Sequence, residues 1–167
     1  ISRGLVGSEM CIRDRRTCGP SATPYSDAFE LPDALDEDGL NEIKAAFVQA
    51  AKRADDAGFD VVEVHMAHGY LLHQFLSPLS NQRNDDYGGS LEGRMKFPLE
   101  VFDAVRAVWP KHKALGVRFS ATDWVDNSSW DVPEATAFSH ELKRRGADFI
   151  DVCLLYTSPS PRDLWIS

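Results

Sequence analysis

Long apolar runs are what this sequence most plainly lacks. No segment of its 167 residues approaches the roughly 20 consecutive apolar residues that a membrane-spanning helix requires. The N-terminal stretch also lacks the continuous apolar segment that is typical of a secretory signal. We therefore expect no membrane partner and a cytoplasmic location.

Cysteine and positive charge are also scarce. The three cysteines, Cys11, Cys18 and Cys153, are odd in number and lack the spacing of a metal site. They predict reduced thiols rather than a disulfide framework. The formal net charge is -8, which argues against nucleic acid or an anionic membrane surface as a partner.

The two ends of the chain lack helical or strand periodicity. Residues 1–16 are locally basic, and residues 154–167 are rich in serine and proline. Both resemble peptides that arise when sequencing-adaptor DNA is translated, so we expect each to be non-native or disordered. The segment 17–153 is then expected to form one partial domain, since it is long enough to bury a core.

Between these ends, helical and strand patterns alternate. Asp36 and Ser90 are expected to cap two helices, and Gly58 to end the first of them. Pro98 is expected to bend the second. After an extended loop over 19–35, the predicted order is helix 36–57, strand 59–65, short helix 71–76, helix 90–109, strand 114–119, helix 132–145 and strand 148–153. This alternation predicts right-handed crossovers and a parallel sheet.

Each predicted strand carries one charged residue near its middle: Glu63, Arg118 and Asp151. In a flat sheet covered by helices on both faces, these groups would be desolvated at a cost of several kcal/mol unless paired. In a closed barrel they can face the interior near its mouth. The pattern therefore favours a (β/α)₈ TIM barrel, of which this chain holds about three of the eight strand–helix units.

A dense polar cluster follows the first strand. His65, His68 and Tyr70 lie within six residues of one another, with Gly58 before them and Gly69 between His68 and Tyr70. Groups that donate, accept and shuttle protons are rarely so dense at a purely structural strand end. We predict that this cluster is one wall of an active site.

Two long motifs carry a resemblance to a known family. The runs EVHMAHGYLLHQFLSPLSNQRNDDYGGSLEGR and LGVRFSATDW resemble the Old Yellow Enzyme family of FMN-dependent ene-reductases, in its bacterial branch with two histidines. The similarity extends over about 19–153 and implies a TIM barrel that binds FMN. It also implies that the enzyme uses NAD(P)H to reduce the activated C=C bond of an α,β-unsaturated carbonyl compound. One departure is Gly93, where the family usually has asparagine.

The resemblance also implies residue roles. His65 and His68 match the pair that binds the carbonyl oxygen of the substrate. Tyr70 matches a tyrosine that lies over the flavin and protonates the α-carbon of the substrate. Arg118 matches the arginine beside N1 and O2 of the flavin, and His65 is also expected to contact the cofactor. No metal site is implied.

Other interpretations of these residues remain open. His65 and His68 could bind a metal with His73, as in a metal-dependent TIM-barrel hydrolase, or could cap the short helix. Tyr70 could be a packed aromatic residue. Arg118 could pair with Glu63 or Asp151, while His73, His112 and His140 read as ordinary residues. Trp124 and Trp130 could line a substrate rim or pack a loop.

The family itself leaves alternatives for the parent enzyme. An iron–sulfur flavoenzyme of the same fold, of the 2,4-dienoyl-CoA reductase or amine dehydrogenase type, would need a cysteine cluster beyond this segment. For the 167 residues alone we expect no activity, because the flavin site would be incomplete. A homo-oligomeric parent enzyme is compatible with the sequence.

Overall fold

The computed structural model of the chain describes residues 17–24, 31–125 and 130–153. The predictions for residues 1–16 and 154–167 lie outside the described residues and stay predictions. Within the described part, the elements in chain order are β1 (Cys18–Gly19), β2 (Asp33–Ala34), α1 (Glu37–Asp56), β3 (Val61–Met66), α2 (Leu71–Leu76), α3 (Leu91–Val108), β4 (Ala114–Ser120), α4 (Val132–Arg144) and β5 (Phe149–Cys153).

The predicted helix boundaries are confirmed by their caps. The Asp36 carboxylate accepts a hydrogen bond from the Gly39 N–H at 2.8 Å, and the Ser90 hydroxyl accepts one from the Gly93 N–H at 3.1 Å. These side chains satisfy amide groups that have no partner within the helix. Gly58 follows α1 with φ +83°, a conformation that favours glycine and ends the helix there.

The three longer strands form one parallel sheet in the order β3-β4-β5. The register places His65 opposite Arg118 and Arg118 opposite Asp151. Helices α2 and α3 connect β3 to β4, and α4 connects β4 to β5. The prediction of an α/β fold with parallel strands is therefore confirmed. Because the strands are parallel, their carboxyl ends lie at one edge of the sheet.

One face of this sheet packs on the helices. Val64, Met66 and Val117 are buried there, together with the side chains that the helices turn inward. Phe119 packs edge-on against Trp130, with ring centroids 6.5 Å apart. Trp130 is fully buried and donates its indole N–H to the Ser120 carbonyl oxygen at 2.9 Å. Trp130 therefore packs the loop before α4 and does not line an open rim.

The loop before α1 differs from the prediction of an extended segment. Strands β1 and β2 pair in parallel, so its two ends lie side by side. The Arg83 guanidinium holds them together, since Nη1 donates to the carbonyl oxygens of Pro20 at 2.9 Å and Leu35 at 2.6 Å. Arg83 also pairs with Asp85, as predicted, and lowers the pKa of that carboxyl group through their hydrogen bonds.

Close packing explains why glycine stands at position 93, where the resembled family usually has asparagine. A Cβ atom at this position would lie 2.2 Å from the Gly88 carbonyl oxygen, so the preceding turn packs directly on the helix backbone. Asparagine would require the turn to move.

Among the described helices, none combines the length and apolarity needed to cross a bilayer.

Candidate active site

The polar cluster lies where β3 ends and α2 begins. His68 has φ +61° and Gly69 has φ +73°, so two consecutive residues adopt the left-handed conformation. This conformation costs glycine little but is uncommon for histidine, and such residues are concentrated at functional sites. The turn brings His68 and Tyr70 back beside the end of the strand.

The structure brings the three predicted side chains together. The ring centroid of His65 lies 5.2 Å from that of His68 and 5.5 Å from that of Tyr70. Tyr70 is 65% exposed, so its hydroxyl group is accessible. Because Tyr70 is not buried, a role as a packed core aromatic finds no support in the described residues. The three rings form one accessible polar surface.

His68 also connects this surface to the next two strands. Its backbone N–H donates to the Ser120 hydroxyl oxygen at 3.0 Å, at the end of β4. Its Nε2 lies 3.1 Å from Cys153 Sγ, at the end of β5. The carboxyl ends of all three parallel strands therefore meet at His68.

Both imidazoles of the cluster favour their neutral form. Burial lowers the pKa of His65, and the neighbouring His68 and Arg118 lower it further. Burial also lowers the pKa of His68, with Arg118 and His73 adding to the effect. A neutral imidazole has one N–H donor and one acceptor nitrogen. Near neutral pH the cluster can therefore donate hydrogen bonds without itself carrying charge.

Arg118 lies on the same sheet face as His65. Its Nε lies 3.4 Å from Asp151 Oδ2 but makes no hydrogen bond, although it is buried. The pKa of Arg118 is raised, chiefly by the Cys153 side chain and also by Asp151 and Glu63. The pairing with Asp151 that the sequence left open is therefore present. The Arg118 side chain as a whole remains 39% exposed.

His73, which was read as an ordinary residue of the short helix, lies in that helix and is 2% exposed. Its Nδ1 accepts a hydrogen bond from the Gly69 N–H at 2.8 Å. Its Nε2 lies 3.1 Å from Asp123 Oδ1 but makes no hydrogen bond. No metal-binding group of three or more suitable side chains occurs in the described ranges.

Sequence reasoning also missed Ser120 and Asp123. Both follow the apolar run of β4, at the edge where β3 also ends. That position was the available signal, because polar residues just after parallel strands face the same edge as the predicted cluster.

Trp124 is exposed and, like His68, has a positive φ, at +55°. His112 and His140, which were read as ordinary residues, are exposed.

Comparison with known proteins decides the family. A model of the NADH:flavin oxidoreductase / NADH oxidase family matches residues 8–162. The chain belongs to this family. An NADPH dehydrogenase of Clostridium acetobutylicum is 47% identical over 133 residues, which are 80% of this chain and 38% of that protein.

Solved structures of family members agree. Morphinone reductase matches with a TM-score of 0.70 and 38% identity, covering 83% of this chain and 41% of that one. Old Yellow Enzyme from Pichia sp. AKU4542 matches with a TM-score of 0.75 and 30% identity, covering 86% and 42%. The resemblance to the Old Yellow Enzymes is thereby confirmed. The chain spans about two fifths of the length of these relatives.

Proposed function

We propose that the full-length protein is an FMN-dependent ene-reductase that uses NAD(P)H to reduce the activated C=C bond of α,β-unsaturated carbonyl compounds. We further propose that β3, β4 and β5 are consecutive strands of a TIM barrel. The observation that carries the proposal is the pair of neutral imidazoles, His65 and His68, with ring centroids 5.2 Å apart at the carboxyl edge of the sheet. Membership of a flavin oxidoreductase family supports the cofactor.

The residues on the sheet face that carries His65 and Arg118 have the chemistry to hold a flavin. The Arg118 side chain is 39% exposed on this face, so its guanidinium would be able to contact an electron-rich acceptor bound there. A permanent cation suits the N1 and O2 edge of a flavin, where negative charge collects on reduction. Arg118, with His65 beside it in register, would hold FMN at that edge.

The histidine pair would activate the alkene. When bound and reduced by NAD(P)H, FMN would provide the hydride chemistry that the β-carbon of the substrate requires. As the C=C bond is reduced, negative charge moves to the carbonyl oxygen. N–H groups of His65 and His68 would bind that oxygen and stabilise its charge, as oxyanion-hole donors do, each by about 3 kcal/mol. Their lowered pKa values keep them as neutral donors near pH 7.

Tyr70 would complete the reaction. The enolate left by hydride addition needs a proton at its α-carbon. The Tyr70 phenol is exposed and next to His65, with ring centroids 5.5 Å apart. A phenol in that place would be able to supply this proton. The substrate partner would thus be a small enone, held by the two histidines and protonated by the tyrosine.

The proposal is tested with the His65→Ala and His68→Ala variants of the full-length enzyme. We expect each variant to retain FMN, to bind a substituted phenol more weakly and to reduce cyclohexenone about a hundredfold more slowly, because one donor to the oxygen is lost. Flavin absorbance, phenol titration and stopped-flow oxidation of the reduced enzyme measure these properties. His112→Ala, at an exposed site, is the matched control.

Two results would contradict the proposal. If either cluster variant reoxidises with the enone as fast as the wild type, the histidines do not bind the carbonyl oxygen. If the enzyme contains iron and acid-labile sulfide and leaves enones unreduced, the iron–sulfur type of flavoenzyme is the better assignment. A cytoplasmic location and a homo-oligomeric state stay predictions, which fractionation and light scattering would check.

A further inference from the structure

His73 is a buried imidazole that the proposed reaction does not use. It occupies the third position of α2 and is 2% exposed. Tyr70, the residue that precedes the helix, makes no side-chain capping hydrogen bond. The first amide groups of a helix need acceptors, and a side chain at the third position can reach back to supply one. His73 reaches back further than this, since its Nδ1 accepts from the N–H of Gly69, the residue before the N-cap Tyr70, at 2.8 Å.

The other nitrogen of His73 faces a buried carboxylate. Because Nδ1 accepts a hydrogen bond, the proton of the neutral imidazole is on Nε2. Nε2 lies 3.1 Å from Asp123 Oδ1, off the line of a straight hydrogen bond. The Ser77 hydroxyl donates to the second oxygen, Oδ2, of Asp123 at 2.6 Å. Asp123 thus orients His73 from the loop after β4.

This arrangement fixes the segment that carries the proposed donors. Two consecutive backbone amides are held by two side chains: the His68 N–H by Ser120 at 3.0 Å and the Gly69 N–H by His73. His68 has a positive φ, a conformation that in a residue other than glycine persists only where the surrounding structure enforces it. If the acceptor at Gly69 is lost, the turn can relax and the His68 and Tyr70 side chains will move with it.

We propose that His73, oriented by Asp123, is a positioning residue that holds His68 and Tyr70 in the geometry for binding the carbonyl oxygen. This inference rests on the function proposed above and adds that the geometry of the donors depends on a side chain that does not touch the substrate. The contact that matters is the one from Nδ1 to the Gly69 amide. The Asp123 contact keeps the imidazole in the required tautomer and orientation.

Two substitutions in the full-length holoenzyme test the roles of the two His73 nitrogens one at a time. In His73→Asn, the amide oxygen occupies the place of Nδ1 and can still accept from the Gly69 N–H. In His73→Gln, the longer side chain reaches the place of Nε2 and Asp123 but leaves Gly69 without its acceptor. Both variants are polar and lose similar packing, so a purely structural role would affect them alike. His140→Gln, at an exposed site, is the control.

We expect the Gln variant to raise the Kd for p-hydroxybenzaldehyde about tenfold and to lower kcat for cyclohexenone, because small displacements of positioned groups reduce rates strongly. We expect the Asn variant to retain nearly the wild-type Kd even if its Tm falls as far as that of the Gln variant. FMN content and flavin reduction potential should be unchanged in both. The readouts are the phenol charge-transfer absorbance, steady-state kinetics, thermal melting and flavin potentiometry.

Equal phenol affinities in the two variants, or a Gln variant with wild-type affinity, would overturn the inference and leave the proposed function intact. A wild-type enzyme that binds FMN but neither phenol nor enone would overturn both. A third substitution, His73→Leu, removes both contacts. If it loads FMN and still binds phenol with wild-type affinity, the positioning role is likewise refuted.

Discussion

The two faces of the β3-β4-β5 sheet differ sharply. The face that packs on the helices buries apolar side chains, among them Met66, Val117 and Phe119. The opposite face carries Glu63, His65 and Arg118, with His68 in the turn that follows β3, and no described helix covers it. Strand residues alternate between faces, so the same strands supply both surfaces. One face contributes stability, and the other carries residues of the proposed site.

Electrostatics follow the same division. The Arg94–Glu134 ion pair lies among the helices, with side chains 4% and 16% exposed, and Arg94 also donates to the Leu76 carbonyl oxygen at 2.7 Å. The Arg118–Asp151 pair lies on the open face, with side chains 39% and 43% exposed. The two arginine–carboxylate pairs thus differ in solvation and in geometry, since Arg94 makes two hydrogen bonds to Glu134, whereas Arg118 Nε makes none to Asp151. The buried Arg94–Glu134 pair should affect the stability of the fold. The exposed Arg118–Asp151 pair should affect the electrostatic potential near the proposed site.

The largest expected effect is on the helix-covered face. Phe119→Ala removes a ring that is 1% exposed and packs on Trp130 and Phe138. We expect a loss of about 3–5 kcal/mol in the free energy of unfolding, because a buried cavity is created. Urea denaturation measures it. Phe59→Ala, at a ring that is 58% exposed, is the control and should cost less than about 1 kcal/mol. Equal losses of unfolding free energy in the two variants would contradict the expectation that burial on the helix-covered face stabilises the fold.

The next effect contrasts the two ion pairs. Arg94→Met leaves the Glu134 carboxylate without its partner and should cost about 3 kcal/mol of unfolding free energy. Asp151→Asn, on the solvated pair, should cost no more than about 1 kcal/mol. Denaturation of the single variants and of the double variant Arg94→Met/Glu134→Met provides the comparison. We expect the double variant to recover stability, and a double variant worse than both singles would refute this account.

The smallest effect concerns charge at the site. Arg118 helps to lower the pKa of His68, after burial, so Arg118→Gln should raise that pKa towards the ordinary value of 6.5. A lowered folded-state pKa means that stability is full above pH 6.5 and declines as the pH falls towards the lowered value. The substitution should therefore make this decline smaller.

NMR titration of the imidazole protons and denaturation between pH 7 and about pH 5 measure both consequences. Lys111→Gln, an exposed substitution on the segment before β4, removes the same charge away from the cluster and should leave the His68 titration unchanged. An identical response in both variants would mean that Arg118 does not act on His68 locally.

Much of the local structure could be predicted because it depends on neighbours in sequence. The cap at Asp36 and the stop at Gly58 depend on side chains within a few residues of the helix end. The short helix Leu71–Leu76 has the predicted bounds. The pairing of β1 with β2 was missed because strands of two residues have no periodicity, and Arg83 stabilises them from a distant loop.

The residue types of the proposed site could be predicted, because the imidazoles and the phenol are close in sequence at a strand end. The burial of His73 could not be predicted from local pattern. Its partner Asp123 lies beyond a long helix and a strand, so only the tertiary structure brings the two together.

The sequence by itself determined the alternation of helices and strands and the helix caps. It also determined that apolar residues alternate with charged or polar residues along each strand. These follow from periodicity and from short-range hydrogen bonding. Only the tertiary structure decided that Ser120, Asp123 and Cys153 meet the segment from His68 to His73. The physical reason is that parallel strands align their carboxyl ends only through register and helix packing. Both of these join residues that are far apart in the chain.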